Sequence, residues 1–367
     1  MTNVERLNKT LPGSIKSGNL PFVVGEYNFT SLLGRGGFSE VYLVEHMKFG
    51  INYVAKVMIV DTLDTDPKWD LVEAEIKALS QLDHPNIIRL YDHFHNGNRF
   101  YLILEYCVNG CLHDQAEIKN GLSMQKFVEY GSQIVSALNY CHSKGISHHD
   151  IKPGNILIDG YGKIKVADFG LSLESNGSKQ KSFGGSYQYT APEIFMKKAH
   201  DPKKADVWAL GVMFVFMATG SSPWPCDSLG ALKQLAVTGQ YRLSKGIPMI
   251  LSELIKRMIV VDPDQRISMH VLAQHPLFKD PPKIKAPPKK IDRPNWEQIP
   301  RLAPITAVEQ VFMDDLCLCP RYSSIHCASS SIVHNAPVPQ KVSTRLHRHS
   351  NPLKPTFHPM DDFVEVT

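Results

Sequence analysis

Alternation with period two dominates the first hundred residues. Tyr27 to Met47, YNFTSLLGRGGFSEVYLVEHM, reads as two strands rich in β-branched and aromatic residues, joined by Gly34-Arg35-Gly36-Gly37. Asn52 to Val60 alternates as a third strand, and Ile87 to Leu90 and Phe100 to Tyr106 as two more around the turn residues His95-Asn96-Gly97-Asn98. Between the third and fourth strands the period lengthens, because Leu71, Ile76, Leu79 and Leu82 fall on one face of a helix over Trp69 to Leu82. Helical spacing then prevails. Phe127, Ile134, Ala137, Leu138 and Cys141 predict a long helix within Ser123 to Lys144, and a strongly apolar helix begins at Asp206-Val207-Trp208-Ala209-Leu210-Gly211. Further helices are predicted at Leu229 to Leu235 and Met249 to Ile259, and the pattern closes at His275-Pro276-Leu277-Phe278.

Both flanks lack periodicity. Residues 1–24 mix Gly, Pro, Ser and Asn and read as a flexible lead-in, while residues 279–367 open on a Pro- and Lys-rich run that is a poor candidate for a packed core. Within that tail Ile305, Val308, Phe312 and Leu316 keep helical spacing, so a short amphipathic helix over about 303–317 can dock on the protein or on a partner. Arg348-His349-Ser350-Asn351-Pro352 suits a phosphoserine-reading partner, although such strings also arise by chance in tails of this composition.

Composition narrows the classes without choosing one. At 367 residues and 43% apolar content there is room for one bilobal body plus extensions, and a formal charge of +4 with interspersed signs gives no dedicated nucleic-acid surface. The longest apolar stretch, Leu210 to Ala218, falls short of the ~20 residues that a membrane helix needs, and no apolar run follows the opening MTNVERLNKT. Seven cysteines without regular spacing fit reduced thiols in a cytoplasmic or nuclear setting.

Chemistry concentrates in Ser147 to Gly170, SHHDIKPGNILIDGYGKIKVADFG. Asp150 is a carboxylate able to accept a hydroxyl proton, Asn155 and Asp168 can hold a divalent metal, and Lys152 can neutralise a transferring phosphate. A pair of Asp/Asn-rich surface turns would account for either loop alone; the combination points to metal-assisted phosphoryl transfer. Lys56 sits inside a strand, where burial without an anion would cost several kcal/mol.

On these residues the chain resembles the eukaryotic protein-kinase family. His148-His149-Asp150 with Asn155 matches the catalytic loop, Asp168-Phe169-Gly170 the metal loop, and Gly34-x-Gly36-x-Phe38-Ser39-x-Val41 the glycine-rich loop. Ala191-Pro192-Glu193 matches the motif closing the activation segment. The resemblance spans about Tyr27 to Phe278, leans toward the calcium/calmodulin-dependent-like and SNF1-like group, and implies an α+β bilobal fold over residues 25–278. A β-rich N-lobe with one regulatory helix would occupy about 25–106, and a mainly helical C-lobe about 107–278.

The resemblance further implies a serine/threonine kinase that moves the γ-phosphoryl group of ATP, with Mg2+, to protein substrates. Asp150 would be general base, Lys152 phosphate neutraliser, Asn155 and Asp168 metal ligands, and Lys56 the ATP anchor held by Glu75. The nucleotide site would comprise Leu33, Gly34, Arg35, Gly36, Gly37, Phe38, Ser39, Glu40, Val41, Val54, Lys56, Leu104, Glu105, Cys107 and Leu157. Ser186 would position substrate through Asp150 and Lys152. Asp206 would hold the catalytic loop by its amides, and Glu193 would pair with Arg266.

Four departures from the family pattern qualify this expectation. Val54 replaces the usual Ala and is expected to crowd the adenine slot, Ser39 replaces a third Gly, and His149 replaces the Arg that gathers an activating phosphate, so activity is expected to depend weakly on Ser182, the position matching the usual activation site, with Ser178 and Ser182 as autophosphorylation candidates. Carboxylates that read upstream arginines are replaced by Cys111, Gly154 and Phe216, with only Asp114 nearby. A kinase-shaped scaffold without turnover and a small-molecule phosphotransferase are the competing functions. Retention of Lys56, Glu75, Asp150, Asn155 and Asp168 argues against the first, and the Ala191-Pro192-Glu193 segment with Arg266 against the second.

Overall fold

Six antiparallel strands form the first layer, in the spatial order β1-β2-β3-β4-β6-β5. They are β1 (Phe22–Val24), β2 (Tyr27–Arg35), β3 (Ser39–His46), β4 (Ile51–Ile59), β5 (Leu90–Asn96) and β6 (Arg99–Leu104). The computed structural model describes residues 20–36, 39–60, 67–115, 118, 120–174, 186–224, 226–279 and 363–366. The expected helix at about 303–317, the string at 348–352, and the residues Gly37, Phe38, Ser178 and Ser182 lie outside these.

Alternation along the strands gives the sheet two covered faces. On one, Phe29, Phe94 and Tyr101 join Tyr27 and Val44 in an aromatic cluster, with the Phe94 and Tyr101 ring centroids 5.0 Å apart and nearly parallel. On the other, Val41, Met58, Leu102 and Leu104 meet Ile76 and Leu79 of α1 (Pro67–Gln81), and this core continues without a break into the second lobe. β4 is therefore central and buried on both sides, which is why Lys56 in its interior needs fixed counter-charges.

The second lobe is helical. Its long helix α2 (Met124–Ser143) starts where Ser123 Oγ accepts the Lys126 amide at 3.3 Å, and its buried face carries Phe127, Ile134, Ala137, Leu138 and Cys141. β7 (Ile146–Ser147) pairs with β10 (Leu173–Glu174), and β8 (Ile156–Ile158) with β9 (Ile164–Val166). The loops between these short strands carry the polar residues singled out above.

After the one-turn α3 (Pro192–Phe195) comes α4 (Pro202–Thr219), the spine of the lobe. Asp201 Oδ1 caps it by accepting from Lys203 N at 2.9 Å, Pro202 opens it, and Gly220 at φ 71° closes it in the left-handed conformation. Gly211 lets it cross α6 (Met249–Met258) closely, because a Cβ there would stand 2.9 Å from Ile259 Cγ1 and Met258 Cβ. α5 (Leu229–Thr238) and β11 (Tyr241–Ser244) lie between α4 and α6; α7 (Met269–Ala273) and α8 (Pro276–Lys279) follow.

Three expectations need correction. Order begins before residue 25, because Phe22–Val24 pairs with β2 in the register Phe22↔Phe29 and Phe22 stacks on Phe29 at 4.7 Å. The strand expected at Ile87 to Leu90 starts at Leu90 and runs to Asn96, Ile87 contributing only an isolated bridge to Val166. In the tail, β12 (Phe363–Val366) pairs with β11, a strand for which the tail's composition gave no signal. No described helix is long and apolar enough to cross a membrane.

Candidate active site

Two loops and two buried charges meet beneath the sheet. β4 delivers Lys56 and α1 delivers Glu75, with Nζ donating to Glu75 Oε2 at 2.6 Å and to Asp168 Oδ1 at 2.8 Å. All three residues are buried. Burial alone would lower the lysine pKa, but the carboxylates of Asp168 and Glu75 outweigh it and hold the ammonium charged well above its ordinary range. Burial pushes the Glu75 carboxyl up, against the pull of Lys56. Asp168 has φ 66°, a conformation that costs a non-glycine residue about 1–3 kcal/mol, and in it one carboxylate oxygen reaches Lys56.

The second cluster is built on Asp150. Its Oδ2 accepts from Asn155 Nδ2 at 2.9 Å and stands 2.8 Å from Lys152 Nζ, while Oδ1 accepts from the Ser186 amide at 3.1 Å and the Ser186 hydroxyl at 3.3 Å. Lys152 also donates to Ser186 Oγ at 2.9 Å. Ser186, from the segment before α3, is thereby tied to both Asp150 and Lys152, so the three residues form one hydrogen-bonded unit. Oδ1 of Asp150 is the oxygen on the Ser186 side.

The loop is held from below by Asp206 near the start of α4. Its Oδ2 accepts from His148 N at 2.7 Å and from His142 Nε2 at 2.9 Å, and its Oδ1 from His149 N at 2.9 Å. Burial alone would raise the Asp206 pKa, but the His142 hydrogen bond and the nearby imidazoles reverse this and keep the carboxylate ionised. His148 then fixes the backbone: its Nε2 donates to Ala167 O at 3.0 Å, its Nδ1 accepts from Asp150 N at 3.2 Å, and its ring packs against Phe169 at 4.7 Å. One imidazole thus links the two loops. His142 and the bridging role of His148 were not read from the sequence, since their partners lie in distant segments and neither residue carries a spacing signal.

His149 has φ 66° and stacks on His200 with centroids 6.0 Å apart. Burial pushes its imidazole down to about 4, with His200, His148 and His142 adding to the shift and Asp206 opposing it, so the ring is neutral at pH 7. Its Nε2 and that of His200 are both buried without a hydrogen-bond partner.

Donor atoms suited to a metal are present. Asn155 Oδ1 and Asp168 Oδ2 are buried oxygens without a hydrogen-bond partner. Among the described residues no group of three His, Cys, Asp or Glu could hold a metal ion. An amide oxygen with one carboxylate oxygen fits Mg2+, which takes one or two protein oxygens and fills its remaining positions with water and phosphate.

A cavity of about 370 Å3 opens between the lobes, a volume suited to a small ligand. Leu33, Val41, Val54, Leu104, Glu105, Cys107 and Leu157 line it, together with residues that sequence reasoning did not include, among them Ile88, Val108, Cys111 and Asp114. Val54 and Leu104 are register partners, so Val54 adds its methyl groups directly beside the inner wall. Arg35 and Glu40 are engaged with each other across the β2–β3 hairpin at 3.1 Å, with Tyr42 OH donating to Glu40 at 2.6 Å. The Arg35 side chain is 69% exposed and does not line the cavity. Farther away, Arg266 grips Glu193 through Nη1 at 2.8 Å and Nη2 at 3.0 Å.

A family model described as "Protein kinase domain" matches residues 27–278. The chain is 36% identical over 263 residues to "Probable serine/threonine-protein kinase MARK-A" of Dictyostelium discoideum, covering 71% of this chain and 25% of that protein. It is 34% identical over 256 residues to an "Aurora kinase" of the same organism, covering 70% and 66%. It is 36% identical over 257 residues to "Carbon catabolite-derepressing protein kinase" of Candida glabrata, covering 70% and 42%. The chain thus spans from a quarter to about two thirds of the length of these relatives.

Proposed function

The chain belongs to the protein kinase family, with relatives in its calcium/calmodulin-dependent-like, SNF1-like group, and on that premise we propose that it is a serine/threonine kinase acting on proteins. The observation that carries the reading is the joined set Lys56-Glu75-Asp168 and Asp150-Lys152-Ser186, in which each side chain has a distinct task and every one is retained. Asp150 orients the substrate hydroxyl and takes its proton, Lys152 neutralises charge on the transferring group, and Lys56 anchors phosphate while Glu75 keeps it in place. Asn155 and Asp168 would hold Mg2+, which supplies charge neutralisation at the phosphates. Label transfer from Mg-ATP to mixed peptides tests the reading: phosphoserine and phosphothreonine are expected, and phosphotyrosine alone would overturn it.

Two finer properties follow from this chain's own departures. Cys111 is fully buried with Sγ donating to Asp114 Oδ2 at 3.4 Å, and Phe216 stacks on His113 at 5.7 Å, so apolar groups and an engaged carboxylate stand where arginine readers have free acids. A peptide library is expected to show upstream Arg changing kcat/KM by less than about threefold, because no charge-assisted bidentate partner is offered. A tenfold or larger preference would contradict this.

The second property concerns control. Since His149 is neutral at pH 7 and packed on His200, it gives a phosphate on Ser182 no fixed cation. Ser182→Ala is expected to keep its turnover within about threefold of the parent, without the ordering effect that a phosphate–arginine contact would bring. Abolished turnover in a folded Ser182→Ala protein would show that phosphorylation there is required.

A further inference from the structure

β11 is an edge, and the chain's own end sits on it. Tyr241 and Leu243 face the core at 3% exposure each, while Arg242 between them is exposed and its amide donates to Pro223 O at 3.0 Å. The antiparallel register with β12 runs Tyr241↔Val366, Arg242↔Glu365, Leu243↔Val364 and Ser244↔Phe363. This places Val366 and Val364 at the register positions opposite Tyr241 and Leu243, and Glu365 at the position opposite Arg242.

β11 also leads to the substrate side of the site. Tyr241 meets Trp224 edge-on at 6.2 Å, and Trp224 stacks on Trp208 at 6.0 Å. Trp224 Nε1 donates to Gln188 O at 2.9 Å, two residues beyond the Ser186 that touches Asp150 and Lys152. No β11 residue lines the cavity between the lobes. β11 is thus connected to the segment around Ser186 through Trp224 and lies away from the cavity.

We propose that β11 is a strand-addition site whose occupant is the chain's own C-terminal segment Phe363–Val366, and that its occupation positions the Ser186–Tyr189 segment for protein substrate. Four paired residues make a weak contact by themselves, and the covalent tether supplies the local concentration that keeps it formed. Strand addition depends on main-chain hydrogen bonds and alternate side-chain positions, and the four-residue register meets both requirements.

Hydrogen exchange on the full chain tests the pairing without need of catalysis. Glu365→Arg is expected to reduce amide protection within 241–244 at least tenfold, Val364→Pro to do the same by removing an N–H, and Arg242→Glu combined with Glu365→Arg to restore it. Unchanged protection in both single variants would overturn the proposal. Protection that rises with protein concentration would place the strand of a second copy on β11, and this too would overturn it. The positioning half rests on the kinase reading: the same variants are expected to raise peptide KM at least threefold with the KM for ATP unchanged. Lost protection with unchanged peptide KM would leave the strand pairing standing and refute its link to substrate.

Discussion

Lys56→Met is expected to lower the rate of phosphoryl transfer by about 10²–10³-fold, the range found when one preorganised electrostatic partner is removed from an active site, and to destabilise the fold as well. The two effects have separate causes. Lys56 Nζ is the shared cation of Glu75 and Asp168, and its loss leaves two buried carboxylates facing one another without compensation. Removing one partner of such a buried ionic group costs about 3–5 kcal/mol. Glu75→Gln in the same background removes one of the stranded charges and is expected to recover much of the stability while recovering none of the activity. Urea midpoints together with single-turnover rates would read the two effects apart. Equal recovery of both would mean that Lys56 serves the fold alone.

Arg266→Met is expected to be the most damaging change away from the reacting groups. Its guanidinium makes the two-pronged contact with Glu193 and also donates to Val260 O at 3.0 and 2.9 Å and to Lys204 O at 2.6 Å, with its head 5.2 Å from the Trp208 ring centre. Breaking this leaves Glu193 buried and charged and several carbonyls without donors, a loss of about 3–5 kcal/mol. Glu193→Gln combined with Arg266→Met is expected to be less unstable than Arg266→Met alone. A loss below about 1 kcal/mol in equilibrium unfolding, the scale of an exposed pair, would contradict the buried-pair account. Because Glu193 lies in the first turn of the one-turn helix that follows Ser186, this pair ties that segment to the far end of the lobe.

The elements that carry the chemistry were legible because their signals are local. The loop containing Asp150, Lys152 and Asn155 and the turn at Asp168 to Gly170 keep their meaning within a short span, and the long helices announce themselves by period. Lys56 was legible for a different reason, since a lysine inside an apolar strand demands a partner, and the family resemblance names Glu75 of α1 as that partner. What escaped detection depends on distant contacts. Phe22–Val24 becomes a strand only because Phe29 is there to stack on, and the tail strand depends on an edge more than a hundred residues earlier in the chain. Likewise His142 near the end of α2 is an ordinary helix residue until folding brings it to Asp206.

Arg35 and Glu40 show how a hairpin sorts neighbouring positions between its two faces. They are register partners joined at 3.1 Å, one step beyond the pair Gly34↔Val41, so alternation sets them on the face opposite Val41, while the register shift between Leu32 and Gly34 frees Leu33 from that alternation. The apolar positions Leu33 and Val41 of the same hairpin do line the cavity. His149 was flagged as irregular from sequence alone; its neutrality and its stacking on His200 emerge only from the packing.

The carboxylates and lysines gathered between the lobes are proposed to transfer phosphate. The most direct measurement is label transfer from Mg-ATP to a generic protein substrate by the full chain, with Asp168→Asn run in parallel and its folding checked by thermal unfolding. Asp168 is the choice because its Oδ2 is a buried oxygen without a hydrogen-bond partner, proposed above to hold Mg2+, while its Oδ1 accepts from Lys56. Magnesium-dependent labelling of serine and threonine by the parent, reduced at least about 10²-fold in the folded variant, is the predicted result. Labelling that is equal in both proteins, or absent from a folded parent supplied with Mg-ATP, would contradict the account.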